Sequence, residues 1–324
     1  MKFRKLLRLV LLCVVPALLL GACGTSEPAE TTEDPLQFAV HKTDPAEDDT
    51  LYILTAAASN SHYFLDELYG VLNAAGVKAK VCNLMRSSTG INLFHQYWKN
   101  GENVFEVIVH DENGKTVLEG MGLDLAISLY NWDVFNMQEG TGPHRTMSPE
   151  AAADERQLAH SELVAHLRKT MPLTKLYYQE IWSYDIGFDK FNYQMTTVEQ
   201  QKDFSARIKK YTDIVCKEFG LEPIPCGSAW VIARDMSPLA GNMCARTTYN
   251  NGEGDYYHDG DIGGGQLLNA YVWFETITGQ SCIGNTFRPV YTLGGVEMTL
   301  PEELIEVLQK AAHQAVEEMR ANQQ

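Results

Sequence analysis

Two apolar runs rich in β-branched and aromatic residues, "LYILTAA" (51–57) and "KAKVCNLM" (78–85), flank a segment of helical periodicity. Within "HYFLDELYGVLNAAGV" (62–77), the residues Phe64, Leu65, Leu68, Val71 and Leu72 share one face, and Gly76 closes the run. Strand, helix, strand in that order predicts a βαβ unit, and with it a parallel sheet.

The rest of the chain repeats the alternation. "VFEVIVHDENGKTVLEG" (104–120) alternates around Asn113-Gly114 and reads as an inserted hairpin with a tight turn. "WDVFNMQEG" (132–140) reads as a strand entering a polar loop. A long helix follows over 148–171, where Ser148 can cap and Pro149 fits the first turn. "KLYYQEIWSY" (175–184) reads as a strand, 196–220 as a helix closed by Gly220, and "EPIPCGSAWVIA" (222–233) as a short strand or extended segment. Two helices complete the chain: 263–279, with an apolar stripe of Leu267, Leu268, Tyr271, Val272 and Phe274, and 299–319, where Thr299 and Glu302 have capping-box spacing. No internal repeat is present. The expected fold is a single three-layer α/β/α domain over 50–324, with a mainly parallel sheet and helices on both faces. In such sheets reactive groups gather at the carboxyl ends of the strands. That edge holds Ser59 and Ser61, the loop after Cys82, Gln138, and a loop near His258.

The N-terminus reads as a processing signal over 1–22. Lys2, Arg4, Lys5 and Arg8 precede "LVLLCVVPALLL", a run too short to span a bilayer. It ends in "LGAC" (20–23), which resembles a bacterial lipobox. That resemblance implies cleavage before Cys23, lipidation of its sulfur, and an extracytoplasmic lipid anchor. Residues 23–49 are rich in Glu, Asp, Thr and Pro, bury too little apolar surface to order themselves, and read as an acidic tether.

The chain has 324 residues, 45% of them hydrophobic, and a formal net charge of −16. That length and apolar content suit a large core. The acidity argues against a nucleic-acid partner, because phosphate binding needs a basic surface. Beyond Cys23 there are five cysteines, Cys82, Cys216, Cys226, Cys244 and Cys282, with no CxxC and no regular spacing. An odd set of this kind argues against a disulfide framework and against cysteine-bound zinc. Cys82 and Cys216 lie in apolar runs and read as core. No dinucleotide fingerprint or P-loop is present, and no cofactor is expected.

"GEGDYYHDGD" (252–261) carries four acidic side chains and one histidine. Counted from Asp255 as a calcium loop, Gly260 takes the sixth position, but Tyr257 and Gln266 stand where oxygen ligands are wanted. A polar surface loop is a second reading. The third uses Asp255 and His258, three residues apart. A serine hydrolase needs an imidazole to take the hydroxyl proton and a carboxylate to hold its tautomer. The nucleophile would then come from the turn after the first strand.

Serine after strand one with D-x-x-H near the C-terminus resembles the pattern of the SGNH (GDSL-like) hydrolases. A closer resemblance, over roughly 51–290, is to a bacterial family of that superfamily catalogued as domain of unknown function 4886. It rests on "LYILTAAASNSHYFLDELYGVLNAAG", "NWDVFNMQEG", "YYQEIWSY", "IPCGSAW", "DYYHDGD" and "NAYVWFETITGQSCIGNTF". The resemblance implies an SGNH-like, flavodoxin-like fold and hydrolysis of an acyl ester, on a carbohydrate or another small acylated molecule. The triad falls on Ser59, His258 and Asp255, with oxyanion donors from Ser59, Gly90 and Gln138. Where the family shows Gly-Asn before the nucleophile, this chain has Ala57-Ala58, which implies a weakened site. Ser61 is the rival nucleophile if the loop is shifted. The alternative function is a non-catalytic glycan-binding lipoprotein on the same fold. Trp182 and Tyr184 are candidates to stack on a sugar. His95 and Trp98 could line the pocket, His144 and Arg145 read as surface, and Arg234 reads as a carboxylate ligand or an ion-pair partner.

Overall fold

The computed structural model describes residues 49–57, 59–236, 264–293 and 296–323. The signal segment, Cys23, the tether up to residue 48, Ala58, Cys244, Asp255 and His258 lie outside the described residues.

In chain order the elements begin with β1 (Leu51–Ala57), α1 (Leu65–Ala74), β2 (Ala79–Met85), α2 (Ile91–Lys99), β3 (Phe105–Asp111) and β4 (Gly114–Met121). Next come α3 (Leu123–Ser128), β5 (Val134–Met137), α4 (Pro149–Thr170), β6 (Lys175–Gln179), and the short pair β7 (Asp189–Lys190) and β8 (Tyr193–Gln194). The last are α5 (Val198–Phe219), β9 (Glu222–Ile224), α6 (Cys226–Met236), α7 (Gly265–Thr278), β10 (Val290–Leu293), β11 (Val296–Thr299) and α8 (Glu302–Ala321). The main sheet runs β4-β3-β2-β1-β5-β6-β9. Its five strands from β2 to β9 are parallel, and the β3–β4 hairpin adds an antiparallel edge beside β2. The expected three-layer α/β fold is therefore present, and the hairpin extends the sheet.

Period-two alternation sorts the core into two layers. Ile53, Val81, Val134 and Ile224 face α1, α6, α7 and α8. Tyr52, Leu54, Ala56, Phe135 and Met137 face α2, α3, α4 and α5. Helix α7 is buried on every side over 265–275 because α8 covers its outer face. Its apolar residues on every face follow from that position, and the buried Asn269 accepts from the Trp230 Nε1–H of α6 at 2.8 Å. Cys82, Cys216, Cys226 and Cys282 are buried and unpaired. Among the described residues no helix is long and apolar enough to cross a membrane.

Several boundaries differ from the sequence reading. Segment 222–233 is not one extended piece: β9 stops at Ile224 and α6 starts at Cys226. Pro223 and Pro225 disguise that helix, yet Cys226, Ala229, Trp230 and Ala233 have helical spacing and are all buried. The strand read over 175–184 ends at Gln179, and 180–185 continue as a buried irregular segment. Thr299 is the last residue of β11, so it does not cap α8; Pro301 precedes the helix, and the Glu302 carboxylate pairs with Arg288. Ser148 does cap α4, accepting from the Ala151 N–H at 3.2 Å.

Candidate active site

β1 ends at Ala57 at the carboxyl edge of the sheet, and Ser59–Ser61 form a single 3₁₀ turn there. Helix α1 begins only at Leu65 and takes Phe64 as its cap residue, so Ser59 is not a helix cap. The two serines of the turn differ in environment. Ser61 is fully buried, and its hydroxyl accepts from the Asn83 Nδ2 at 2.7 Å. Its carbonyl accepts from Thr55 Oγ1 and from Asn83, each at 3.2 Å, and Asn83 also contacts Thr55 Oγ1. Thr55 and Asn83 are directly paired across β1 and β2, so the sheet register itself supplies this anchor. Ser59 is half-buried and lines a cleft of about 600 Å³.

Gly90, Glu139, Arg145, Tyr184 and Phe191 share the cleft wall with Ser59. Gly90 precedes α2, and a side chain there would collide with the Glu139 carboxylate. Glu139 follows β5 and is buried. Its Oε2 accepts from Arg156 Nε at 2.6 Å and from the Ile91 N–H at 3.3 Å, and its Oε1 accepts from the Gly140 N–H at 2.8 Å. Burial pushes the Glu139 carboxyl up, while Arg156 and the two backbone N–H groups oppose that shift. The pair thus fixes the start of α2 against the loop after β5 and sets the cleft wall beside Gly90.

The other sequence candidates divide. Gln138 is fully buried at the end of β5 and is not among the described residues that line the cleft. Trp182 is a core residue: it has no exposure and stacks on Trp230 with ring centroids 4.9 Å apart. It cannot serve as a sugar platform. Tyr184 does line the cleft, but its ring is stacked on Phe188 and its hydroxyl lies 2.6 Å from Thr141 Oγ1. It is a fixed wall residue. His95 and Trp98 do not line the cleft; they join α2 to α4 through Glu162 and His166. His144 is buried edge-on against Tyr211, where burial pushes its imidazole down to about 3, so it is not a surface residue. Arg145 beside it opens on the cleft. Arg234 lies 3.7 Å from Asp185 and within 3.2 Å of Ser183 Oγ. None of the seven described histidines lines the cleft.

Sequence reasoning missed Glu139, Arg156 and Phe191. Glu139 and Arg145 stand in the Gly/Pro-rich "QEGTGPHR" loop after β5, and a loop at the carboxyl edge was a usable signal. Arg156 comes from the interior of α4 and carries no local signature.

No protein-family model and no curated protein matches the sequence. Among solved structures, a DUF4886 family protein from Bacteroides uniformis ATCC 8492 matches at TM-score 0.66 and 21% identity, covering 83% of this chain and 95% of that one. An acetylxylan esterase from Geobacillus stearothermophilus matches more distantly, at TM-score 0.44 and 10% identity over 70% of this chain and 94% of that one. The fold assignment rests on the first of these. The chain shares its three-layer α/β fold with that DUF4886 family protein.

Proposed function

We propose that this chain is a serine esterase, lipid-anchored through Cys23 on the outer side of a bacterial membrane, that removes an acyl group from a carbohydrate or other small acylated molecule. The observation that carries the reading is Ser59: it follows the first strand, opens on a cleft of about 600 Å³ at the carboxyl edge of the sheet, and leaves its rival Ser61 buried.

In this reading the Ser59 hydroxyl attacks the acyl carbon and His258 takes its proton. Asp255 holds the imidazole tautomer. Backbone N–H groups at Ser59 and beside Gly90 receive the oxyanion. The C–O bond to the alcohol breaks, the alcohol leaves with the proton from His258, and water then releases the acid from the acyl-enzyme. His95 is paired with Glu162 and His166 with Asp124, and no described histidine lines the cleft, which supports drawing the base from the acidic loop. No cofactor is needed for this chemistry.

The test is hydrolysis of 4-nitrophenyl acetate and acetylated sugars. Ser59→Ala should lower turnover by at least about 10³-fold, since triad members act as a unit. Activity should survive a chelator. Undiminished turnover in Ser59→Ala would sink the reading. Chelator-sensitive glycan binding that ignores Ser59→Ala would replace it with a calcium-dependent binding protein.

A further inference from the structure

The charges lining the cleft are unevenly used. Arg156 stands between two carboxylates, Glu139 at 2.6 Å and Glu155 at 3.4 Å. Arg145 has no carboxylate partner among the described residues. Its Nε reaches only the Gly142 carbonyl, at 3.4 Å, and its Nη1 is shielded from solvent without a hydrogen-bond acceptor. The guanidinium lies over the Phe191 ring, 4.9 Å from its centroid. Phe191 is 66% exposed and sits at the tip of the β7–β8 hairpin with φ 59°, beside Asn192 at φ 57°. Left-handed backbone disfavours a bulky residue, and strain of this kind clusters at ligand-binding positions. In a chain of net charge −16, an arginine with no carboxylate among the described residues and held by an aromatic ring at a cleft is unusual.

We infer that the cleft takes an ester whose sugar or acyl part carries a carboxylate, bound by the Arg145 fork, with Phe191 holding the guanidinium in place. This rests on the esterase reading of the same cleft. A guanidinium presents paired N–H donors that match the two oxygens of a carboxylate or a phosphate. Glu139 and Glu155 offset Arg145 and Arg156, so the wall has no net positive charge to hold a dianion. A monoanionic carboxylate fits this balance better than a phosphate.

Two measurements test it. The first is kcat/KM on an acetylated glucuronate against the matching acetylated glucose. The wild type should favour the charged ester, and Arg145→Met should reduce that ratio by about tenfold to a hundredfold, the range for hydrogen bonds to a charged group. Arg145→Lys should restore part of the ratio, because it returns the charge without the fork. The second is calorimetric titration of Ser59→Ala with glucuronate, glucose and inorganic phosphate. Glucuronate should bind, glucose and phosphate should bind more weakly, and Arg145→Met should remove the difference.

Hydrolysis of both esters with a ratio that Arg145→Met leaves unmoved would overturn this inference while the esterase reading stands. Arg145-dependent glucuronate binding with no hydrolysis of any ester would overturn the esterase reading alone. Phosphate binding tighter than glucuronate would replace the carboxylate with a phosphate group.

Discussion

Asn83 ties the turn that carries Ser59 to the sheet. Its amide nitrogen faces the hydroxyl and carbonyl of Ser61 and the hydroxyl of Thr55. Asn83→Ala should leave buried acceptors unpaired, costing about 1–3 kcal/mol of stability by urea denaturation, and should lower kcat for ester hydrolysis more than it raises KM. Asn83→Asp should be worse, because a carboxylate would face those same acceptors. Equal stability with unchanged kcat in both variants would show that the turn is held by other contacts. Glu180 offers a pH test. It is buried beside Ser228, whose hydroxyl lies 2.9 Å and 3.1 Å from its two carboxyl oxygens. Burial pushes the carboxyl from its ordinary 4.5 up to about 7. Between those values the folded chain holds a proton that the unfolded chain releases. The stabilising contribution is therefore complete below pH 4.5 and is lost as pH rises through 7. Relative to Glu180→Gln, the wild type should lose stability from pH 5 to pH 8, by roughly 1.4 kcal/mol per pKa unit. The comparison with the variant matters because His144 and His160, pushed down by burial to about 3 and about 4, act oppositely and lose their contribution as pH falls below 6.5. A flat difference between wild type and variant would refute the assignment to Glu180.

At the scale of elements, α5 shows how local chemistry sets boundaries. Thr197 and Gln200 form a reciprocal capping box at its start, and Gly220 ends it at φ 62°. Thr197→Ala should cost about 1 kcal/mol and Gly220→Ala a similar amount, each read from the urea midpoint. Gly220→Asn should cost less, since Asn tolerates the left-handed region. If neither single variant shifts the midpoint, tertiary packing rather than the caps fixes the ends of α5. The same local logic made Gly220 and the Ser148 cap legible in the sequence. It failed at Thr299-x-x-Glu302, where the spacing is right but Thr299 is paired with Val290 in the β10–β11 ladder. It failed again at α6, where two prolines suggested extended chain although the second only precedes the first helical turn.

At the scale of the whole molecule, the layers assign side chains that periodicity alone leaves open. Helix α7 was legible as a helix, but its complete burial depends on α8 lying across it, with Leu304, Ile305, Leu308 and Val316 in the shared core. Trp182 shows the limit most directly. Its aromatic character and its place after a strand fit a sugar platform as well as a core, and only the packing of α6, which brings Trp230 against it, decides for the core. The sequence by itself determined the alternation of strands and helices, the parallel sheet, the two-sided core and the edge at which Ser59 stands, because periodicity and turn chemistry act over a few residues. The tertiary structure alone decided that Ser59 opens on the cleft while Ser61 is buried, that Glu139 is held by Arg156, and that Arg145 has no carboxylate partner among the described residues. Those outcomes depend on side chains from 17 positions apart, Glu139 and Arg156, to 132 apart, Ser59 and Phe191, meeting at one edge, and distances across folded layers leave no trace in local spacing.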